Sequence, residues 1–157
     1  MVAKKLGVST ATLFQRTGSK QQLMLMALLP EGIPITELER GVQPGVPVRE
    51  QLSQVLLEIN EYLGAVIGAS LTLRAACIEA DLPEPTPARI RVLLTQWLAQ
   101  ATSAGLLEVI DPRTTADVLI GTIESRHIHA YMRQEQLSSK QHREYIQAML
   151  DVVLPTR

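Results

Sequence analysis

Residues 2–29 read VAKKLGVSTATLFQRTGSKQQLMLMALL, and several helix boundaries can be placed inside that one stretch. Val2 to Leu6 forms a short apolar-edged helix closed by Gly7, the residue best suited to a left-handed turn. Ser9 then caps a second short helix from Thr10 to Arg16, its hydroxyl accepting a backbone N–H of the first turn. Gly18 ends it. Ser19-Lys20-Gln21-Gln22 is a capping box that opens a third helix, Lys20 to Leu29, stopped by Pro30. Helix, glycine turn and helix, all within about 16 residues, is the helix-turn-helix arrangement.

Charge supports a separate role for this head. Residues 1–30 hold Lys4, Lys5, Arg16 and Lys20 with no Asp or Glu, whereas the rest carries all 16 acidic residues and only 11 basic ones. A basic head on an acidic body is the pattern of a nucleic-acid reader attached to a non-binding domain.

Outward from the head, residues 30–47 contain Pro30, Gly32, Pro34, Gly41, Pro44, Gly45 and Pro47. A long regular helix cannot cross them, so a linker is expected, with one short turn near Thr36–Glu39. From Val48 the chain turns helical. Leu52, Val55, Leu56, Ile59, Leu63, Val66 and Ile67 recur at helical spacing, with Gln51, Glu58 and Glu61 facing away. Gly64, Gly68 and Ser70 are expected to bend or divide this stretch before Leu71–Ala80. Pro83, Pro85 and Pro87 break the chain. The next helix sets Ile90, Leu93, Leu94, Trp97, Leu98 and Ala101 on one face and ends at Gly105. Asp111-Pro112 is an N-cap with proline at the first helical position, opening a helix to about Glu135. A last helix spans Ser139 to Val153.

Nothing reads as a strand, and aromatics make up only 3% of the chain. The core must therefore come from Leu, Ile, Val, Ala and Met at 3.6-residue spacing, which favours a helical bundle. Cys77 is the single cysteine, so an internal disulfide and a cysteine-based zinc site are excluded, in keeping with a reducing, cytoplasmic setting. Apolar runs are broken within a few residues by Gln, Glu, Arg or Gly, so no bilayer span is expected, and no signal peptide opens the chain.

The motifs of residues 2–29 resemble the second, third and fourth helices of the TetR family of transcriptional regulators. The family pattern has an Ile-Ala pair, a Gly-Val-Ser turn, Thr-Leu-Tyr, an aromatic, Ser-Lys and a Leu-rich helix. Those places hold Val2-Ala3, Gly7-Val8-Ser9, Thr12-Leu13-Phe14, Thr17, Ser19-Lys20 and Leu23. Ala104-Gly105-Leu106-Leu107 followed by Asp111-Pro112 and Ala116 resembles a join inside the family's ligand-binding domain. The resemblance implies an all-α protein: a partial helix-turn-helix head over residues 1–29 whose first helix is missing, a linker over 30–47, and a TetR-type C-terminal helical bundle for ligand binding and dimerisation over 48–157. Two positions depart from the pattern. Thr17 replaces a core aromatic, and Phe14 replaces a Tyr whose hydroxyl reaches a phosphate.

The implied function is a DNA-binding transcriptional regulator, a ligand-responsive repressor acting as a homodimer on a double-stranded DNA operator. The DNA-binding residues would be Thr10, Thr12, Phe14, Gln15, Arg16 and Lys20. Gln15 suits adenine, Arg16 suits guanine or a phosphate, and Lys20 sits at a helix N-terminus where a phosphate is favoured. The helix from Pro112 is apolar on two faces, with Val118, Ile128 and Met132 beside the main line of Ala116, Leu119, Ile120, Ile123, His127, Ala130 and Tyr131. Two apolar faces need two partners, and in the family these last two helices pair with their copies, here residues 112–153. An unknown small-molecule effector is expected between helices 48–69, 86–104 and 112–135, bordered by Tyr62, Arg74, Trp97, Glu124 and His127.

Glu124-x-x-His127 has the spacing used by di-iron bundles, but those need a second copy and further carboxylates; no metal or other cofactor is expected. No serine or cysteine stands in a nucleophile elbow, and no Gly-rich phosphate loop is present, so catalysis is not expected. The alternative function, sharing every feature of the body, is a dimeric ligand-binding or scaffold module that has lost DNA binding through truncation.

Overall fold

A computed structural model of the protein describes residues 35–76 and 87–154, together with Ser19, Met24 and Leu28. The helices expected over Val2–Leu6 and Thr10–Arg16 lie outside the described residues. Within them are five helices, α1 (Thr36–Arg40), α2 (Val48–Ala75), α3 (Pro87–Ser103), α4 (Pro112–Met132) and α5 (Ser139–Val153), and no strand. The expected all-α bundle is what the described residues form.

α2 is the central helix, packing against each of the other four. Leu52, Leu56, Ile59 and Leu63 are fully buried, facing Ile90, Leu94 and Leu98 of α3, Leu119, Ile120 and Ile123 of α4, and Ile146 and Leu150 of α5 in one core. α2 alone among the described helices is long and apolar enough to cross a membrane. Its apolar stripe is used on the bundle core instead.

Gly64 and Gly68 do not divide α2, which runs unbroken to Ala75. Each glycine weakens a helix by about 1 kcal/mol relative to alanine. Val66, Ala69 and Leu73 carry the buried stripe past both glycines, and at about 25 cal/mol per Å² the burial outweighs that cost.

The segment read as a linker packs on the bundle from Ile35 onward. Ile35 and Leu38 are buried in the core, so α1 is part of the body's packing. Two α2 side chains expected to face away hold it there. Glu58 accepts the Glu37 backbone N–H at 2.8 Å. Gln51 accepts from Gln43 N at 2.7 Å and donates to the Gln43 and Val46 carbonyls.

Helix ends follow local chemistry. Asp111 caps α4, its carboxylate accepting from Thr114 N at 2.7 Å, with Pro112 at the first helical position. Those hydrogen bonds, from the Thr114 side chain and backbone, hold the Asp111 carboxyl below the usual range. Ser138 and Gln141 form a reciprocal capping box at the start of α5. α3 closes in a Schellman turn, with Gly105 at φ 69° and Leu106 N bonding back to the Ala101 carbonyl. α4 closes the same way at Met132, three residues before the expected Glu135, but Gln134 takes the left-handed place at φ 55°.

Candidate functional site

A polar concavity among the described residues begins from a missing side chain. Gly64 leaves room on α2 for the imidazole of His127 on α4, whose Cε1 would lie 2.7 Å from a Cβ at position 64. The ring's Nε2 stands 3.0 Å from Oδ1 of Asn60, one turn earlier on α2. His142, near the start of α5, sets its ring 5.5 Å from that of His127, tilted by 33°. Around this pair a cleft of ≈ 720 Å³ opens between α2, the end of α4 and the start of α5. That is the size of a small-molecule site. Leu57, Ala65 and Gly68 form its apolar side, while Glu58, Glu61, Tyr131, Glu135 and Arg143 add polar groups.

Burial pushes the His127 imidazole below its ordinary pKa; the neighbouring His142 and Arg126 add to this and the contact with Asn60 opposes it. Burial also lowers His142, again helped by Arg126, with the Leu137 backbone and Glu61 opposing. Burial and nearby Glu37 raise the Glu58 carboxyl despite the backbone N–H bonds it accepts. The cleft therefore presents neutral imidazoles beside carboxylates, a surface that both donates and accepts hydrogen bonds.

A second concavity of ≈ 710 Å³ lies on the outer side of α4 and α5, lined by Val118, Gly121, Thr122, Ser125, His129 and Tyr145 among others. Its wall is braced. Tyr145 donates to the Thr122 carbonyl at 3.1 Å, and the Arg126 guanidinium sits 4.0 Å above the Tyr145 ring. Exposed apolar side chains stand on the same two helices, with Val118 49%, Met132 74% and Val152 81% exposed.

Of the five residues assigned from sequence to an effector, only His127 lines the larger cleft. Tyr62 and Trp97 are buried in the core. The Trp97 indole Nε1 is itself buried with no hydrogen-bond partner. Arg74 sits exposed in the last turn of α2. Glu124 bonds Arg91 of α3 at 2.8 Å, and Asp117 holds the same guanidinium at 3.1 Å. Glu124 and His127 thus engage different helices, so the Glu-x-x-His spacing does not converge on one point. No group of three potential metal ligands occurs among the described residues. Asn60 and His142 carried no sequence signal and Gly64 only that of a helix break, because each matters to the site only through a contact with α4. The residues assigned to DNA (Thr10, Thr12, Phe14, Gln15, Arg16 and Lys20) lie outside the described residues.

Residues 71–156, more than half of the chain, match the family model described as the C-terminal domain of AefR-like transcriptional repressors. No curated protein and no solved structure matches the chain. The match spans the end of α2 and all of α3, α4 and α5, and so includes the α4 and α5 walls of both concavities. With an all-helical bundle and a matching C-terminal domain, the chain belongs to the TetR family of transcriptional regulators.

Proposed function

We propose that this regulator is a ligand-responsive repressor that works in the cytoplasm as a homodimer on double-stranded DNA, with its DNA-reading head in residues 1–29. The observation that carries pairing is the second apolar line of α4. Val118, Ile128 and Met132 stay exposed after the core is complete, and Val152 of α5 joins them. Large apolar side chains gathered on one face mark an interaction surface more often than scattered ones do. A two-fold pairing through α4 and α5 covers that face and matches paired half-sites on an operator. Effector binding is supported by the ≈ 720 Å³ cleft beside His127 and His142.

Sedimentation of the purified chain tests the pairing: a dimer is expected, and Val118→Glu with Met132→Glu should give a folded monomer. A wild-type monomer at micromolar concentration removes the proposal. For DNA, a gel shift on the region upstream of the protein's own gene should show salt-sensitive binding. Arg16→Ala with Lys20→Ala should abolish it. A dimer that binds no DNA at low salt favours the ligand-binding or scaffold module instead.

A further inference from the structure

Three helices meet at His127 and His142, and a fixed positive charge is built into the same joint. Arg126 precedes His127 on α4. Its guanidinium is held over the Tyr145 ring, and its Nη2 donates to the carbonyl of Gln141, the residue before His142, at 3.1 Å. The two imidazoles lie 5.5 Å apart beside it. With Nε2 of His127 donating to Asn60 Oδ1, the nitrogen that would accept a proton is Nδ1, which lies against Gly64. Among the described residues no side chain hydrogen-bonds that nitrogen. Nδ1 of His142 is buried near the Leu137 carbonyl without a well-formed hydrogen bond.

We propose that the His127–His142 pair is a protonation-sensitive latch that holds the first half of α5 against α2 and α4 while both rings are neutral and releases it on acidification. The latch belongs to the bundle itself and does not depend on DNA binding or on pairing.

Charged and polar groups face the pair from each of the three helices. α2 contributes Glu58 and Glu61 beside the uncharged Asn60. α4 contributes Arg126 and Tyr131, the turn after it Glu135, and α5 Arg143. Glu58 is taken up by the Glu37 backbone N–H, while Glu61 and Glu135 are exposed, so solvent screens them. Glu61 favours a proton on His142 but does not outweigh burial and Arg126. For His127, burial, His142 and Arg126 all oppose the charged form. A first proton on either ring places a second cation beside Arg126, and a second proton adds a third. Relief comes when α5 moves away from α4.

Linkage gives the direction. In the unfolded chain both rings titrate near the ordinary value of 6.5, whereas in the bundle they titrate lower. As pH falls through 6.5 the unfolded or opened state binds protons that the closed joint refuses. The joint is therefore most stable above that value and weakens below it.

The test is a proton NMR titration of the imidazole C–H resonances in the wild-type chain, with the urea-unfolded chain as reference. Both His127 and His142 should titrate below the unfolded reference. Amide exchange over residues 139–146, corrected for its intrinsic pH dependence, should accelerate below pH 6.5 while the α2–α3 amides hold. The acceleration should approach about tenfold for each pH unit by which a midpoint is depressed. His127→Gln with His142→Gln should flatten this pH response, since glutamine can keep the Asn60 bond without titrating. A His142 midpoint above the reference means that Glu61 governs the ring and overturns the latch. Uniform acceleration across the whole bundle, or an unchanged response in a folded double variant, overturns it too. If the variant does not fold, the wild-type titration and exchange decide alone.

Discussion

Gly64 and His127 share one volume: a methyl group on Gly64 would stand 2.7 Å from Cε1 of the His127 ring. Gly68, one turn further along the same helix, has nothing within 4 Å of the corresponding point. The two glycines therefore answer substitution differently. Gly68→Ala should stabilise the bundle by about 0.5–1 kcal/mol through helix propensity alone. Gly64→Ala receives the same gain but must displace a ring that bonds Asn60 and packs on His142. It should come out about 1–3 kcal/mol less stable than Gly68→Ala, the usual range for overpacking. Urea unfolding of the two variants measures the difference, and equal midpoints would contradict the crowded position.

The end of α4 rests on a residue poorly suited to its backbone. Gln134 adopts φ 55°, a conformation that disfavours any side chain with a Cβ by roughly 1–2 kcal/mol. Gln134→Gly should relieve most of that and raise stability by about 0.5–1 kcal/mol, less than the full strain because glycine is freer when unfolded. Thermal melts should show a higher midpoint. A lower one would mean that the Gln134 side chain makes a compensating contact.

Arg49 ties the start of α2 to the end of α5, donating to the Leu154 carbonyl at 2.8 Å and pairing with Asp151. The carbonyl contacts should matter more than the ion pair. Asp151 is 70% exposed and Arg49 28%, so screening leaves Asp151→Asn within about 0.5 kcal/mol of wild type. Arg49→Met also leaves the carbonyl of Leu154, the residue that ends α5, without its donor and should cost about 1–2 kcal/mol. Comparable losses in the two variants would assign the stabilisation to the charge pair.

Glu58 yields a pH dependence of opposite sense to the histidines. Burial raises its carboxyl above the ordinary 4.5 of the unfolded chain, so the fold tolerates the ionised form less well than solvent does. Stability attributable to Glu58 is present below that value and is lost as pH rises through the raised one. Glu58→Gln, whose amide oxygen can still accept from Glu37 N, should therefore be stabilising at pH 7 and lose its advantage near pH 4. Unfolding curves at the two pH values check both the sign and its reversal. A destabilising effect at pH 7 would mean that the charge strengthens the bond to Glu37 N by more than burial opposes it.

Much of the bundle was legible from residues that act on their neighbours. Asp111-Pro112 announces the start of α4 because a carboxylate and a preset φ satisfy the first turn without help from elsewhere. Gly105 announces the end of α3, and Ser139 to Val153 is bounded as expected. The two apolar lines of α4 were equally visible, and the core took Ala116, Leu119, Ile120 and Ile123 of the first while Val118, Ile128 and Met132 stayed outside. Periodicity reports which faces are apolar, and composition excludes a sheet. Family membership, expected from the motifs of residues 2–29, is shown by the match over residues 71–156.

Tertiary structure decided what depends on residues far apart in the chain. Gly64 and Gly68 resemble helix breaks until the packing of α2 outweighs their propensity. Residues 35–47 have a linker's composition, yet Ile35 and Leu38 find a pocket in the core, and Glu58 and Gln51 supply bonds to the backbone. The cleft is the clearest case. His127 meets Asn60 across 67 positions of sequence and lies against a glycine whose only signal was weakness. Local chemistry can be read along a chain, because each cap or turn acts within four residues. A site made by the absence of one side chain and the approach of two others exists only once three helices have been brought together.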